Sequence, residues 1–156
     1  MEKGINQDYR QFYGGQLQLN LPDQKMENIK RKDHEPTFVI AKLGWRYHHL
    51  GIPTREIHPG EIYLPHLKIH VSGFSTSPFG IEWMRFDDVC PLSELIKTVP
   101  HIAFEVDDLD KELRENDFEI ICEPGVPSDG VRAAMILHNG APVELIEFMP
   151  CRTIRR

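Results

Sequence analysis

The sequence predicts an α+β fold built from two like modules. The second runs β-α-β-β-β, and the first runs the same way with its helix reduced or absent. Three observations carry this. From Leu43 onward, short runs rich in β-branched and aromatic residues are bounded by Gly, Pro, Ser and Asp, as strands and turns are. The second half holds a stretch patterned as an amphipathic helix between its first two strands. A pair of short motifs occurs in each half, in the same order.

Residues 1–38 are rich in Gln, Asn, Lys, Asp and Glu and sustain no period of 2 or 3.6, so they read as an N-terminal arm, flexible or strapping. Residues 39–150 form the domain. Module one, about 43–88, has expected strands at Trp45–Ile52, Glu61–Leu64, Leu67–Phe74 and Phe79–Phe86. The link from Pro53 to Gly60 contains Pro53, Pro59 and Gly60, which excludes a helix of three turns. A short linker helix is expected over about 91–98, with Pro91 in its first turn and Lys97 near its end.

Module two covers about 99–149. It opens with a strand at His101–Val106. A helix follows at Asp107–Asn116, with acidic residues in its first turn and Leu109 and Leu113 on one face. Strands follow at Phe118–Cys122, Val131–Leu137 and Pro142–Phe148, the last two joined through His138-Asn139-Gly140, a hairpin signal. Residues 151–156 are a tail.

Composition narrows the function. The 156-residue chain carries a net charge of −6, which disfavours a broad nucleic-acid surface. No apolar run is long enough to span a bilayer, and the start lacks the apolar core of a secretory signal, so a cytoplasmic protein without membrane partners is expected. Cys90, Cys122 and Cys151 show no CxxC spacing and are expected to be reduced structural thiols rather than a disulfide framework or a cysteine zinc site.

The repeat carries the chemistry. His49-Leu50-Gly51-Ile52 aligns with His101-Ile102-Ala103-Phe104, and Ile81-Glu82-Trp83-Met84-Arg85-Phe86 aligns with Val143-Glu144-Leu145-Ile146-Glu147-Phe148. Glu82 follows His49 by 33 residues and Glu144 follows His101 by 43; the extra ten match about three helical turns. Alternation along a strand puts His49 with Gly51, and His101 with Ala103, on one face. It puts Ile102, Phe104 and Val106 on the other, under the helix. It also places His48 on the packing face beside Leu50. Glu82 and Glu144 sit on apolar faces, where a carboxylate is costly unless paired or bound to a cation. Two histidines and two glutamates in equivalent places point to one shared metal site of His49, Glu82, His101 and Glu144. Imidazole and carboxylate suit Zn, Ni, Fe, Co or Mn. His70 and Glu147 are the reserve candidates.

The segments PHIAFEVDDLD, from Pro100, and HNGAPVELIEF, from His138, with YHHLGIPT and FGIEWMRF as their first-module versions, resemble the vicinal oxygen chelate superfamily. That group includes glyoxalase I, methylmalonyl-CoA epimerase, extradiol dioxygenases, and the fosfomycin and bleomycin resistance proteins. The resemblance covers about Trp45–Phe148. It implies two paired βαβββ modules forming a cupped mixed sheet around one divalent metal, held by His49, Glu82, His101 and Glu144. The His-Glu-His-Glu order is most similar to bacterial glyoxalase I, although no loop matches its glutathione-binding segments.

The implied activity is a glyoxalase-like lyase or isomerase acting on a small oxygenated substrate through a metal-stabilised enolate or oxyanion. Glu82 or Glu144 would be the base, and Met84, Ile146 and Phe148 would dry the site; Arg132 would either meet an anionic substrate or be a surface strand arginine. An iron-dependent extradiol-type dioxygenase and a non-catalytic small-molecule-binding or resistance protein are the alternatives on the same scaffold. The partner is a small molecule, and a homodimer is left open. His49→Ala is expected to abolish metal binding, and His48→Ala to affect at most stability.

Overall fold

The computed structural model describes residues 30–150. The proposed arm (1–38) and tail (151–156) fall largely outside them; from Pro36 onward the described residues belong to one compact unit. The elements are α1 (Phe38–Ala41), β1 (Arg46–Thr54), β2 (Ile62–Leu64), β3 (Ile69–Ser72), β4 (Ile81–Phe86), α2 (Glu94–Thr98), β5 (His101–Glu105), α3 (Leu109–Glu115), β6 (Glu119–Ser128), β7 (Val131–His138) and β8 (Ala141–Phe148). The eight strands form one mixed sheet in the order β2-β3-β4-β1-β5-β8-β7-β6.

That order is the sequence repeat made spatial. β1 and β5 lie antiparallel at the centre. Each has the last strand of its own module beside it in parallel, β4 next to β1 and β8 next to β5. The remaining strands follow antiparallel outward to the edges at β2 and β6. The expected α+β architecture of two modules, the first without its helix, is present.

One face of module two packs under α3. Trp45, Phe104, Val106, Leu109, Ala134, Ile136 and Leu145 form the hydrophobic core there, with Val39, Leu43, Leu113 and Phe118 against it. Trp45 contacts both Phe104 and Phe118 at tilted angles. Asp108 caps α3 by accepting from the Lys111 N–H at 2.9 Å, which satisfies one of the free N–H groups at a helix start. Ile102, expected beneath the helix with Phe104, remains 37% exposed. The seven-residue helix is only about 10 Å long, and Ile102 is not among the residues of the core beneath it.

Other boundaries differ from expectation for local reasons. Ser93 caps α2 through its side chain, so the linker helix starts after Pro91 rather than on it. α1 was not foreseen in the sequence; its Val39 carbonyl accepts from the Trp45 N–H at 3.0 Å and so ties the start of the domain to the core. β6 runs on through Pro124 and Pro127 to Ser128, with register shifts against β7, which an edge strand tolerates. Asn139 and Gly140 both have positive φ (49° and 76°), the backbone of a two-residue I′ hairpin turn.

In module one the loop between β1 and β2 takes the place of the helix. His58 stacks on Trp83, ring centroids 4.6 Å apart, on the face opposite His49 and Glu82. Beside it, Glu61 accepts two hydrogen bonds from Arg85, at 3.0 and 2.6 Å. His70 lies 3.2 Å from Asp87, which also accepts from the Tyr63 hydroxyl at 2.8 Å. His70, the reserve ligand, is thus part of a polar network on the outer face. Polar pairing covers here what apolar packing covers in module two.

The Arg85 hydrogen bonds hold the Glu61 carboxyl down from the ordinary 4.5 to about 2. A depressed carboxyl stabilises the fold above its unfolded pKa, and the contribution disappears as pH falls through the folded value. Glu61→Gln is therefore expected to lower the melting temperature at pH 7. The gap between variant and wild type should shrink as pH falls from about 4.5 toward 2. Melting curves at pH 7, 4 and 2.5 check this, and a gap that stays constant counts against it.

Candidate metal centre

The site grows out of the central register. In the β1–β5 pair, His49 lies opposite Ala103 and Gly51 opposite His101. In the flanking parallel pairs, Gly51 lies opposite Glu82 and Ala103 opposite Glu144. Each histidine therefore faces a small residue across the strand, and each small residue has a glutamate on its other side. A Cβ at Gly51 would lie 2.1–2.7 Å from three ring atoms of His101. The missing side chain is the space the imidazole occupies.

The four side chains converge within one chain. His49 Nε2 is 3.2 Å from His101 Nε2. Glu144 Oε2 is 3.3 Å from His49 Nε2 and 3.4 Å from His101 Nε2. Glu82 Oε2 is 3.5 Å from His49 Nε2. His49, His101 and Glu144 each present a ligand atom within 4.8 Å of the other two, a group able to hold a metal ion; Glu82 stands just outside it. Both histidines are buried.

Burial alone would push the Glu144 carboxyl up, but hydrogen bonds from His101 and His49 outweigh it and hold it at about 2. Burial pushes Glu82 up, and the neighbouring Glu144 charge adds to this. Burial would lower His49, yet the hydrogen bond and charge of Glu144 carry it upward. Imidazole nitrogens and carboxylate oxygens directed at one point are a donor set for a divalent cation. Among the described residues His101 Nδ1 is buried without a hydrogen-bond partner, so the polar contacts of that ring there are those at the convergence point. The residues fit a metal.

These groups line one side of a cavity of about 400 Å³, within the range of small-molecule sites. Its walls are mostly apolar, with Leu64, Val71, Met84, Met135 and Ile146 among them and Phe74 and Phe148 beside His48. Met84, Ile146 and Phe148, the residues expected to dry the site, are among the lining residues. Among the described lining residues there is no lysine or arginine.

Arg132 is not in the cavity, contrary to expectation. It alternates with the lining residues Val131 and Ala133 and so points to the opposite face. There it donates to Asp110 of α3 at 2.7 and 3.0 Å and to Glu147 at 3.0 Å. Glu147, the reserve for Glu144, is occupied by that contact.

His48 is the second correction. The β1–β5 register shifts between Tyr47 and His49: one extra residue, His48, is inserted, and the bulge re-aims its side chain. His48 therefore lines the cavity beside His49, not the packing face, with its Nδ1 2.8 Å from His49 Nδ1. Cys122 also lines the cavity, its thiol pushed up by burial. Nothing in the sequence signals the bulge except the doubled histidine; Cys122 offers no signal.

Gly51→Ala is expected to displace the His101 ring, with an overpacking penalty of about 1–3 kcal/mol and at least tenfold weaker zinc binding. Ala103→Gly, which adds space instead, is expected to keep binding within about threefold, since it leaves both rings unobstructed. Calorimetric zinc titration of both variants checks the pair; Gly51→Ala binding as tightly as wild type counts against the packing argument.

No protein family and no curated protein matches the chain. Solved structures do. The hypothetical protein BH1468 from Bacillus halodurans C-125 is similar at 20% identity, over 68% of this chain and 96% of that one, with a TM-score of 0.54. Methylmalonyl-CoA epimerase from Mycobacterium tuberculosis is similar at 22% identity, over 67% and 89%, with a TM-score of 0.49. Among the described residues no helix is long and apolar enough to cross a membrane. The eight-stranded mixed sheet, with two modules meeting at β1 and β5, has the α+β architecture expected from the sequence.

Proposed function

We propose that the chain is a divalent-metal-dependent, glyoxalase-like lyase or isomerase acting on a small oxygenated molecule with an apolar body. The observation that carries this is the convergence of His49, His101, Glu144 and Glu82 on one point of an apolar cavity. His49, His101 and Glu144 would hold the ion, with Glu82 beside them. When bound, a divalent cation supplies Lewis-acid polarisation of substrate oxygens.

The protein's own residues divide the remaining work. Glu144 contacts both histidines and is held in place, whereas Glu82 reaches only His49 and has the longer contact. Glu82 is therefore the carboxylate free to take a proton from a carbon next to a carbonyl and return it. Its burial pushes the Glu82 carboxyl up from the ordinary carboxylate range. Met84 and Phe148 exclude water and seat the apolar part of the substrate.

One observation favours a second reading. The tight group is two histidines and one carboxylate, the ligand set of non-haem iron oxygenases. If Glu82 stays off the metal, positions remain open for a catechol-like substrate and oxygen. Glu82 discriminates between the two.

Two outcomes are expected. Wild type purified from metal-replete growth carries close to one equivalent of a divalent metal, while His49→Ala, His101→Ala and Glu144→Ala carry almost none; mass spectrometry of the metals checks this. Wild type below about a tenth of an equivalent sinks the metal reading. Glu82→Gln keeps its metal but loses about 10²–10⁴-fold in the exchange of a substrate α-proton with deuterated solvent, followed by NMR with a hemithioacetal. Oxygen uptake with a catechol, unaffected by Glu82→Gln, would select the iron reading instead.

A further inference from the structure

We propose that His48 is a positioning residue of the metal centre: its Nδ1 accepts the Nδ1–H of His49 and so keeps the His49 Nε2 lone pair turned toward His101, Glu144 and Glu82. This rests on the metal-site reading above and goes beyond it by assigning a task to a residue outside the ligand set.

The argument begins with proton counting. A neutral imidazole carries one N–H and one lone pair. The two Nδ1 atoms lie 2.8 Å apart, a hydrogen-bond distance, so one proton sits between them. If His48 owned it, His49 would accept at Nδ1 and carry its own N–H on Nε2. That N–H would point at His101 Nε2, 3.2 Å away, and leave His49 no lone pair for a cation. If His49 owns it, Nε2 is free to ligate. Only the second arrangement is consistent with a metal, and metal-binding histidines are commonly oriented this way by an acceptor on the other nitrogen.

The acceptor is held firmly enough to do this. The His48 ring stacks on Phe74, centroids 4.9 Å apart and planes 16° from parallel, and leans on Phe148 at 5.5 Å. The bulge that brings it to this face is pinned next door, where the Tyr47 hydroxyl donates to the Phe79 carbonyl at 2.8 Å. On the other side, the Leu50 N–H donates to the Gly80 carbonyl at 2.9 Å. The segment Gly73–Gly80 thus holds both the backbone and the ring of His48. His101, by contrast, has no acceptor on its Nδ1 among the described residues. Its ring is oriented instead by the absent Cβ of Gly51, so the two histidines of the repeat are aimed by different means.

Two variants separate hydrogen bonding from packing. His48→Phe keeps a ring on Phe74 and deletes the acceptor; His48→Asn keeps an acceptor oxygen near the Nδ1 position and deletes the ring. Zinc affinity is measured by competition with a chromophoric chelator. The expected result is about 10–100-fold weaker binding for His48→Phe, with His48→Asn within about threefold of wild type. The reverse order, or His48→Phe equal to wild type, overturns the proposal. Long-range ¹H–¹⁵N spectra of the zinc-loaded wild type decide the same point without a variant: protonated His49 Nδ1 and unprotonated His48 Nδ1 support it, and the opposite assignment overturns it. A wild type that takes up no zinc, like His49→Ala, overturns this inference together with the metal reading. A wild type that binds zinc no better than His48→Phe overturns this inference alone.

Discussion

The antiparallel pairing of β1 with β5 is the contact on which the rest depends. Cross-strand neighbours on one face of a sheet stand close enough for their side chains to meet, and a buried imidazole needs the space of more than one position. The pair meets this reciprocally, with His49 opposite Ala103 and His101 opposite Gly51. A shift of one residue in either strand would turn its histidine to the far face. The parallel neighbours β4 and β8 then deliver Glu82 and Glu144 to the same rungs from either side. The site is a seam, to which each module contributes one histidine and one glutamate.

The seam is also an electrostatic arrangement that the fold does not balance internally. Glu82, Glu144 and three imidazoles stand together in a mostly apolar cavity, where each charged form is penalised by lost hydration. Hydrogen bonds from the histidines hold the Glu144 carboxyl down, while burial pushes Glu82 up. A cation would relieve all of it at once. This agreement between what the protein lacks and what a divalent ion offers supports the metal-dependent reading, more than any likeness of fold does.

The two modules solve the problem of their outer faces differently. Module two lays α3 across its strands and buries a compact apolar cluster. Module one has no helix there and uses a loop, with His58 on Trp83 and an ion network of Glu61, Arg85, His70 and Asp87. The asymmetry leaves the inner face free to differ as well. The bulge at His48 has no counterpart in β5, whose register with β8 is regular, so the duplicated framework carries one histidine that the repeat does not foretell.

The sequence by itself determined the α+β class, the two modules, the missing helix and the four residues of the seam. Those are properties of pattern: alternation in strands, a helical stripe at Leu109 and Leu113, and motifs whose recurrence outweighs the ordinary chance that a strand histidine is merely structural. What only the tertiary structure decided depends on pairing. Arg132 looked available to a substrate until Asp110 and Glu147 took its guanidinium on the far face. β6 looked five residues long until its edge position let it run past two prolines. In YHHLGIPT, strict alternation assigns the two histidines to opposite faces, and that holds only for an unbroken ladder. The inserted residue is visible only when β1 is set against β5, because a bulge is a mismatch between two strands and not a property of either one.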